Sequence, residues 1–174
     1  MSGLILPWQG HHPQIDPTAF VAVNATITGD VVIGADSGIW FGCILRGDVN
    51  HIRIGARTNI QDGTIIHVTR ETHPTLIGDG ITIGHGAVLH GCVLEDDCFV
   101  GMGAVVLDGA VIESGAMVAA GAVVTPGKRV RRGELWGGNP ARLLRPLREE
   151  EIAHFAVSAA NYVELARSYR EQPG

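Results

Sequence analysis

Residues 94–130 read LEDDCFVGMGAVVLDGAVIESGAMVAAGAVVTPGKRV, and an apolar residue returns at every sixth position of this stretch. The same period extends toward the N-terminus, interrupted by two short insertions and one single-residue deletion. The repeated residues are Ile27, Ile33, Ile39, Leu45, Ile54, Ile60, Ile66, Ile77, Ile83, Leu89, Leu94, Val100, Val106, Ile112, Val118, Val124 and Val130. A period of six fits neither a helix nor simple strand alternation. It is typical of solenoids in which each hexad makes one short strand and a bend.

The period also predicts which hexads stack on one another, because three hexads close one triangular coil. The first face is predicted to receive the hexads of Ile27, Leu45, Ile66, Leu89, Val106 and Val124. The second face is predicted to receive those of Ile39, Ile60, Ile83, Val100 and Val118. In this register His67 and His90 are vertical neighbours, about 4.8 Å apart at the backbone, which is the spacing of adjacent parallel strands.

Two polar clusters follow from the same columns. The first consists of Arg46, His67 and His90, and the second of Gln61, Asp62 and His85. His85 and His90 are separated by roughly 16 Å of extended chain, whereas metal–nitrogen bonds are only about 2.1 Å long. Convergence on one ion within one chain is therefore disfavoured. A cyclic trimer removes this difficulty by bringing two different surfaces together. We predict interfacial sites with His67 and His90 from one subunit and His85 from the next, the first face meeting the second.

The residue types in these clusters predict a catalytic metal centre rather than a structural one. Neutral imidazoles bind zinc and related divalent ions, and three protein ligands leave a fourth position open for water. Zinc lowers the pKa of a bound water to about 7, which makes hydroxide available at neutral pH. Gln61 can donate to or accept from a bound oxygen. Arg46 can pair with either Asp48 or Asp62, which makes its charge tolerable at an interface.

Composition sets limits on the remaining possibilities. A chain of 174 residues predicts one domain, and its net charge of −5 disfavours nucleic acid as a partner. No apolar run has the length of a membrane span. The N-terminus lacks the pattern of a secretory signal, so we expect a cytoplasmic location. Cys43, Cys92 and Cys98 are expected to be small buried residues rather than ligands or disulfides.

The chain divides into four predicted segments. Residues 1–19 form a proline-containing lead-in that is ill-suited to regular structure, and residues 20–132 form the β-helix, with insertions at 48–53 and 68–75. Residues 133–147 form an irregular connection. Residues 148–171 form a helix, with glutamates in its first turn and arginines in its last, that packs on the solenoid. Asn161 and Tyr162 are the helix residues that we single out as candidates to face a cleft between subunits.

Taken together, these motifs resemble those of the gamma-class carbonic anhydrases. The matching stretches are WFGCILRGD at 40–48, IRIG at 52–55, TNIQDG at 58–63, His67, IGHGAVLHG at 83–91 and GNPAR at 138–142. The resemblance covers nearly the whole chain. It implies a left-handed parallel β-helix trimer with Zn²⁺, or alternatively Fe²⁺ or Co²⁺, ligated by His67, His85 and His90. It also implies that Arg46, Asp48, Gln61 and Asp62 surround the metal.

The activity implied by this resemblance is reversible hydration of carbon dioxide to bicarbonate through a metal-bound hydroxide. The sequence departs from the archetypal enzyme in one respect, because the acidic loop that carries a glutamate proton shuttle is short here, and Val49 follows Asp48. We therefore expect low activity unless Glu71, His73 or buffer carries the proton. Two alternatives stay open: a metal-dependent acyl-thioester hydrolase, and a non-catalytic metal-binding assembly protein of the same family.

Overall fold

The hexad period is realised as a left-handed parallel β-helix of about seven turns, followed by one C-terminal helix. This architecture is seen in a computed structural model, which describes residues 3–171. The predicted fold class is confirmed. The first two residues of the predicted lead-in, 1–19, lie outside the described residues.

Short strands separated by turns make up the solenoid, and α1 (Glu149–Glu171) follows it. The strands are β1 (Leu4–Leu6), β2 (Gln14–Ile15), β3 (Phe20–Val21), β4 (Thr26–Ile33), β5 (Gly38–Ile39), β6 (Ile44–Ile54), β7 (Asn59–Ile60), β8 (Ile65–His67), β9 (Thr75–Ile77), β10 (Thr82–Ile83), β11 (Val88–His90), β12 (Val93–Leu94), β13 (Phe99–Val100), β14 (Val105–Val106), β15 (Val111–Ile112), β16 (Met117–Val118), β17 (Val123–Val124), β18 (Arg129–Val130), β19 (Glu134–Gly137) and β20 (Arg142–Pro146).

The core is a column of the repeated apolar residues, each of which points inward and is at most 4% exposed. Successive strand residues point to opposite sides, so each two-residue strand contributes one residue to the core and one to the outer side, which α1 covers at β5, β7 and β10. Small residues fill the corners of the triangle, as Ala104 and Ala110 do with no exposure. Gly103 lies in the turn beside this corner at φ +65°, a conformation that an L side chain rarely adopts.

The three cysteines are free and buried, as expected. Cys98 occupies the corner position four residues after Leu94, where the repeat requires a small side chain. Burial raises the pKa of Cys43 to about 11 and that of Cys92 to about 12. Because the thiolate is the ligand and the nucleophile, these groups serve as packing residues.

The predicted stacking register is confirmed. On the first face Ile27 pairs with Leu45, Leu45 with Ile66 and Ile66 with Leu89, with Val106 and Val124 continuing the column. On the second face the order is Ile39, Ile60, Ile83, Val100 and Val118. All these strand pairs are parallel, so residues roughly 20 apart in sequence become direct neighbours.

Both ends of the solenoid contain more regular structure than we predicted. The proline-containing lead-in forms β1 and β2, and both strands pair parallel with β4, the first long strand. Pro7 and Pro13 lie just outside these strands, where a missing backbone N–H costs no ladder hydrogen bond. The connection predicted as irregular contains β19 and β20, which form an antiparallel pair.

The C-terminal helix covers part of the second face, the face that we predicted to meet a neighbouring subunit. α1 packs on β3, β5, β7 and β10, and Phe155 stacks on Phe99 with ring centroids 5.3 Å apart. It runs back toward the first coil, where Arg170 donates to the carbonyls of Thr18 and Pro17. His85 lies in the turn between β10 and β11, at the edge of this covered sheet.

Within residues 3–171, no helix has the combination of length and apolar character that crossing a membrane requires.

Replacement of Ile112 by alanine tests the role of the inward column. Ile112 is fully buried and its neighbour Val111 points outward on the same strand. We expect Ile112→Ala to lower the free energy of unfolding by about 2–5 kcal/mol, because the rigid coil cannot close the cavity. Val111→Ala is the matched control and is expected to cost much less. Denaturant unfolding at one fixed chain concentration measures both, and equal effects would contradict the assignment of the core.

Candidate metal centre

His67 and His90 form the centre of the site. They end the adjacent strands β8 and β11 and pair directly in the parallel register. The ring centroids are 5.0 Å apart, and Nδ1 of His67 lies 3.1 Å from Nε2 of His90. Their side chains are 19% and 33% exposed. Stacking of the coils thus aims two ring nitrogens at one point near the surface.

The carboxylate of Asp48 contacts the ring nitrogen of His67 that does not face His90. Oδ1 of Asp48 lies 3.0 Å from Nε2 of His67, and its other oxygen accepts from Nη1 of Arg46 at 2.5 Å. Partial burial raises the pKa of Asp48, but the hydrogen bonds from His67 and Arg46 outweigh burial and lower it overall. Of the two partners that the sequence left open for Arg46, the structure pairs it with Asp48.

A second carboxylate, Asp108, holds His90 in the same way. Oδ1 of Asp108 lies 2.5 Å from Nδ1 of His90, and Oδ2 accepts from Oγ1 of Thr69 at 2.6 Å. Burial raises the pKa of Asp108, and the bonds from Thr69 and His90 lower it below its ordinary value. Sequence analysis missed this residue. Counting repeats does not single it out, since Asp108 follows His90 by 18 residues, whereas the paired residues Leu89 and Val106 are 17 apart at this coil.

His85 occupies the other edge of the first face. It lies in the turn before β11, whereas His90 ends that strand. Nδ1 of His85 lies 2.8 Å from Oδ2 of Asp62, and the two side chains are 47% and 42% exposed. Within residues 3–171, no three His, Cys, Asp or Glu side chains of one chain form a group that could hold a metal ion. The structure therefore places His67 and His90 together and leaves His85 with Asp62 at the opposite edge.

Gln61 is 5% exposed and is the start of a buried chain of hydrogen bonds. Its Nε2 donates to Oδ1 of Asn59 at 3.0 Å, and Nδ2 of Asn59 donates to Oγ1 of Thr82 at 3.0 Å. Oγ1 of Thr82 lies 3.0 Å from Oγ of Ser158 on α1. The C-terminal helix is thereby connected to the polar residues at the edge that carries His85.

Tyr162 brings the helix close to the same edge. Its ring packs edge-on against Trp40 with centroids 5.5 Å apart. Burial raises the pKa of Tyr162, and the negative charge of Asp62 raises it further. Asn161, the other helix residue that we singled out, is exposed.

The second insertion, at residues 68–75, folds back beside His67. Thr69 and His73 form an antiparallel bridge, and Glu71 lies exposed between them at φ +62°. Oγ1 of Thr75 donates to the carbonyl oxygen of His67 at 2.6 Å. The loop thus fixes the backbone of His67, and it places His73 close enough to Asp108 for its charge to lower the pKa of that carboxyl.

The proton positions around the two rings fit a bound cation. A carboxylate only accepts, so Asp48 requires a proton on Nε2 of His67 and Asp108 requires one on Nδ1 of His90. In the neutral rings, the two nitrogens that face each other at 3.1 Å are then both acceptors. Two bonds of about 2.1 Å to one tetrahedral ion put their nitrogens about 3.4 Å apart. The arrangement of donors therefore suits a divalent metal ion, completed by ligands from outside this pair.

Comparison with known sequences identifies the repeat. Residues 91–126 match the family described as bacterial transferase hexapeptide (six repeats). The matched stretch contains residues 94–126, which is most of the region from which the period was first derived.

Individual relatives carry more specific names. The chain is 55% identical over 162 residues to gamma carbonic anhydrase 1, mitochondrial, of Arabidopsis thaliana, which covers 90% of this chain but only 59% of the plant protein. It is 43% identical over 167 residues to a carbonic anhydrase of Geobacillus kaustophilus, covering 96% of this chain and 91% of that protein. A solved hexapeptide transferase family protein from Anaplasma phagocytophilum superposes with a TM-score of 0.92 at 50% identity, covering 95% of this chain and 98% of that chain.

Replacement of Thr82 by valine tests the hydrogen-bonded chain behind Gln61. The hydroxyl of Thr82 is the side-chain acceptor for buried Asn59, so its removal leaves Nδ2 of Asn59 only the longer bond to the carbonyl oxygen of Ile81 at 3.3 Å. We expect Thr82→Val to lower the free energy of unfolding by about 1–3 kcal/mol. Thr125→Val is the control, because Thr125 is a half-buried threonine that takes no part in this hydrogen-bond network. Denaturant unfolding of both variants provides the measurement, and a neutral Thr82→Val would show that the chain of bonds does not stabilise the fold.

Proposed function

This chain belongs to the gamma-class carbonic anhydrase family, and we propose that it catalyses the reversible hydration of carbon dioxide to bicarbonate at a metal centre shared between subunits. The observation that carries the proposal is the pair of carboxylate-backed imidazoles, His67 and His90, whose facing nitrogens lie 3.1 Å apart. Membership of the family implies a metal cofactor. We propose zinc as the ion, with iron(II) or cobalt(II) as alternatives, because neutral imidazoles suit all three.

The shared site rests on the shape and polarity of the first face. Its outward residues form one mostly apolar column down the solenoid, comprising Leu4, Thr26, Ile44, Ile65, Val88, Val105 and Val123. Ile44 and Ile65 are 42% and 43% exposed in the single chain. Burial of such a column against other copies is favourable.

A homotrimer buries this column and completes the metal centre in one step. When three copies turn the first face toward a common three-fold axis, one edge of each face meets the opposite edge of the next. The edge with His67 and His90 then meets the edge with His85 and Asp62. We propose these three histidines as the ligands. This arrangement replaces the predicted contact between first and second faces and leaves α1 on the outside of the second face.

The protein's own residues then have separate tasks. His67 and His90, with His85 of the next subunit, would hold a divalent ion, which would supply an activated water to the reaction. Asp48 keeps the proton of His67 on Nε2, and Arg46 keeps Asp48 charged and in place. Buried Gln61, held by Asn59, presents a fixed amide to the small-molecule substrate. Asp62 fixes the orientation of His85 through Nδ1.

Proton release is the step for which the chain offers the fewest candidate residues. Glu71 and His73 are the ionisable residues that we propose to accept the proton, with solution buffer as the competing acceptor. Glu71 is exposed at the loop tip, and His73 lies beside Gly91, the residue that follows His90. Mutation of both residues without a change in proton transfer at low buffer concentration would exclude them. The compartment stays a prediction, because the plant relative is named mitochondrial whereas the sequence predicts the cytoplasm.

Metal-dependent hydration is the direct test of the proposed function. Protein purified without oxygen and reloaded with zinc or iron(II) is expected to hydrate carbon dioxide and to contain about one metal ion per chain. His67→Ala is expected to lose both properties, while His154→Ala, on the outer helix, keeps both. Stopped-flow assay with metal analysis gives the answer. Bound metal without hydration would contradict the enzyme and lead to assays of acyl-thioester hydrolysis and of assembly with other proteins.

Mixed trimers test whether ligands come from two chains. His67→Ala and His85→Ala subunits are each expected to lose the metal when assembled alone. Co-expression places an intact His67–His90 pair of one variant beside an intact His85 of the other at one interface of each mixed trimer. We therefore expect recovery of metal and hydration in the mixture. Isolation of mixed species by two affinity tags, followed by metal analysis, decides the matter. No recovery would show that His67 and His85 act within the same chain or serve different sites.

A further inference from the structure

Asp108 makes the shortest contact to a proposed ligand and lies outside the set of residues considered so far for the reaction. It lies in the turn after β14, one coil beyond His90. Each of its oxygens has one side-chain donor, Nδ1 of His90 at 2.5 Å and Oγ1 of Thr69 at 2.6 Å. About a third of the Asp108 side chain is exposed (31%). Its carboxylate is therefore held at both oxygens in one orientation.

The contact determines which nitrogen of His90 is free. A neutral imidazole carries one proton, and an ionised carboxylate can only accept it. With the proton on Nδ1, the lone pair of His90 is on Nε2. That atom is the one that faces Nδ1 of His67 at 3.1 Å. The opposite tautomer would point an N–H at the proposed metal position and would prevent ligation.

The backbone around Asp108 is adapted to this contact. Gly91 follows His90 directly, and a Cβ at Gly91 would lie 2.7 Å from Oδ1 of Asp108. Its φ of +56° is a further reason why a side chain is disfavoured there. On the other side, Nδ2 of Asn50 donates to the carbonyl oxygen of Thr69 at 3.0 Å and so fixes the residue that holds Asp108. Both insertions therefore help to hold the Asp108 carboxylate, Thr69 by a direct hydrogen bond and Asn50 through its bond to Thr69.

We propose that Asp108 is a positioning residue that fixes the tautomer and orientation of His90 for metal ligation, and that Thr69 holds Asp108 in place. This inference rests on the proposed function for the presence of a metal at His67 and His90. Outer carboxylates of this kind typically contribute 10–100-fold to metal affinity. The Thr69 hydroxyl makes the second insertion a part of the centre rather than a loop beside it.

The tautomer can be measured without any metal. Nitrogen-15 NMR of the metal-free protein at about pH 8.5, well above the usual imidazole pKa of about 6.5, is expected to show His90 protonated on Nδ1. The His90→Gln spectrum assigns the signal. In Asp108→Asn the amide can donate as well as accept, so a mixture of tautomers is expected. A wild-type His90 protonated on Nε2, or no change in Asp108→Asn, would overturn the proposal.

Metal affinity provides the second test. Competition with a chromophoric chelator for zinc is expected to show binding about 10–100-fold weaker in Asp108→Asn and a smaller loss in Thr69→Val. Asp96→Asn is the matched control, since its carboxylate caps a backbone N–H of Asp79 in another turn, and it should bind zinc like the wild type. Equal affinity in Asp108→Asn and wild type would overturn the positioning role.

Failure of the proposed function has a different signature. Wild-type protein that binds no zinc would contradict the metal centre, and the NMR result would then decide the role of Asp108 alone. Thermal unfolding of each variant shows whether it is folded like the wild type. If Asp108→Asn does not fold, the tautomer in Thr69→Val replaces it, and an unchanged tautomer there would overturn the part of the proposal that concerns Thr69.

Discussion

The stacking of parallel coils is the constraint on which the rest of the structure depends. Each short strand pairs with the strand one coil earlier and one coil later, so the backbone fixes neighbouring side chains at strand spacing. This geometry brings His67 and His90 together without any contribution from the side chains themselves. The core residues above and below supply the rigidity, because a column of fully buried apolar residues leaves little room for displacement. A metal centre built on such a frame is positioned before any ligand arrives.

Each proposed ligand is accompanied by its own carboxylate: Asp48 behind His67, Asp62 beside His85 and Asp108 behind His90. In the proposed trimer these three carboxylates come together, and three negative charges in one small region of an acidic protein are unfavourable unless positive charge is nearby. Arg46 supplies one such charge, and a divalent ion would supply the other two. The electrostatics of the site therefore favour a doubly charged occupant over an empty centre. They also account for the presence of a guanidinium beside a cation site, where it would otherwise be repelled.

The sequence predicted the features that follow from the repeat length, such as the register of the strands. It missed features whose position is set by turns and by tertiary packing. The hexad period was enough to place Ile66 under Leu89, and with them the two histidines, because parallel register follows directly from repeat length. The same reasoning could not place Asp108, since its carboxylate reaches His90 from a turn and only because Gly91 leaves space. The helix was predicted within one residue of its start, yet its position on the second face was not, because tertiary packing decides that position. Proline in the lead-in argued against strands β1 and β2, although β1 ends just before Pro7 and β2 lies between Pro13 and Pro17.

The path of α1 has a consequence for the behaviour of the whole solenoid. A stack of repeats ordinarily has two free ends, and each end can fray independently because a coil contacts only its neighbours. Here the helix leaves the last coil and returns to the first. There Arg170 donates hydrogen bonds to the carbonyl oxygens of Thr18 and Pro17, and Tyr169 packs on Phe20. Loosening of one end therefore removes support from the other. The helix converts a one-dimensional array into a cooperative unit whose two termini open together.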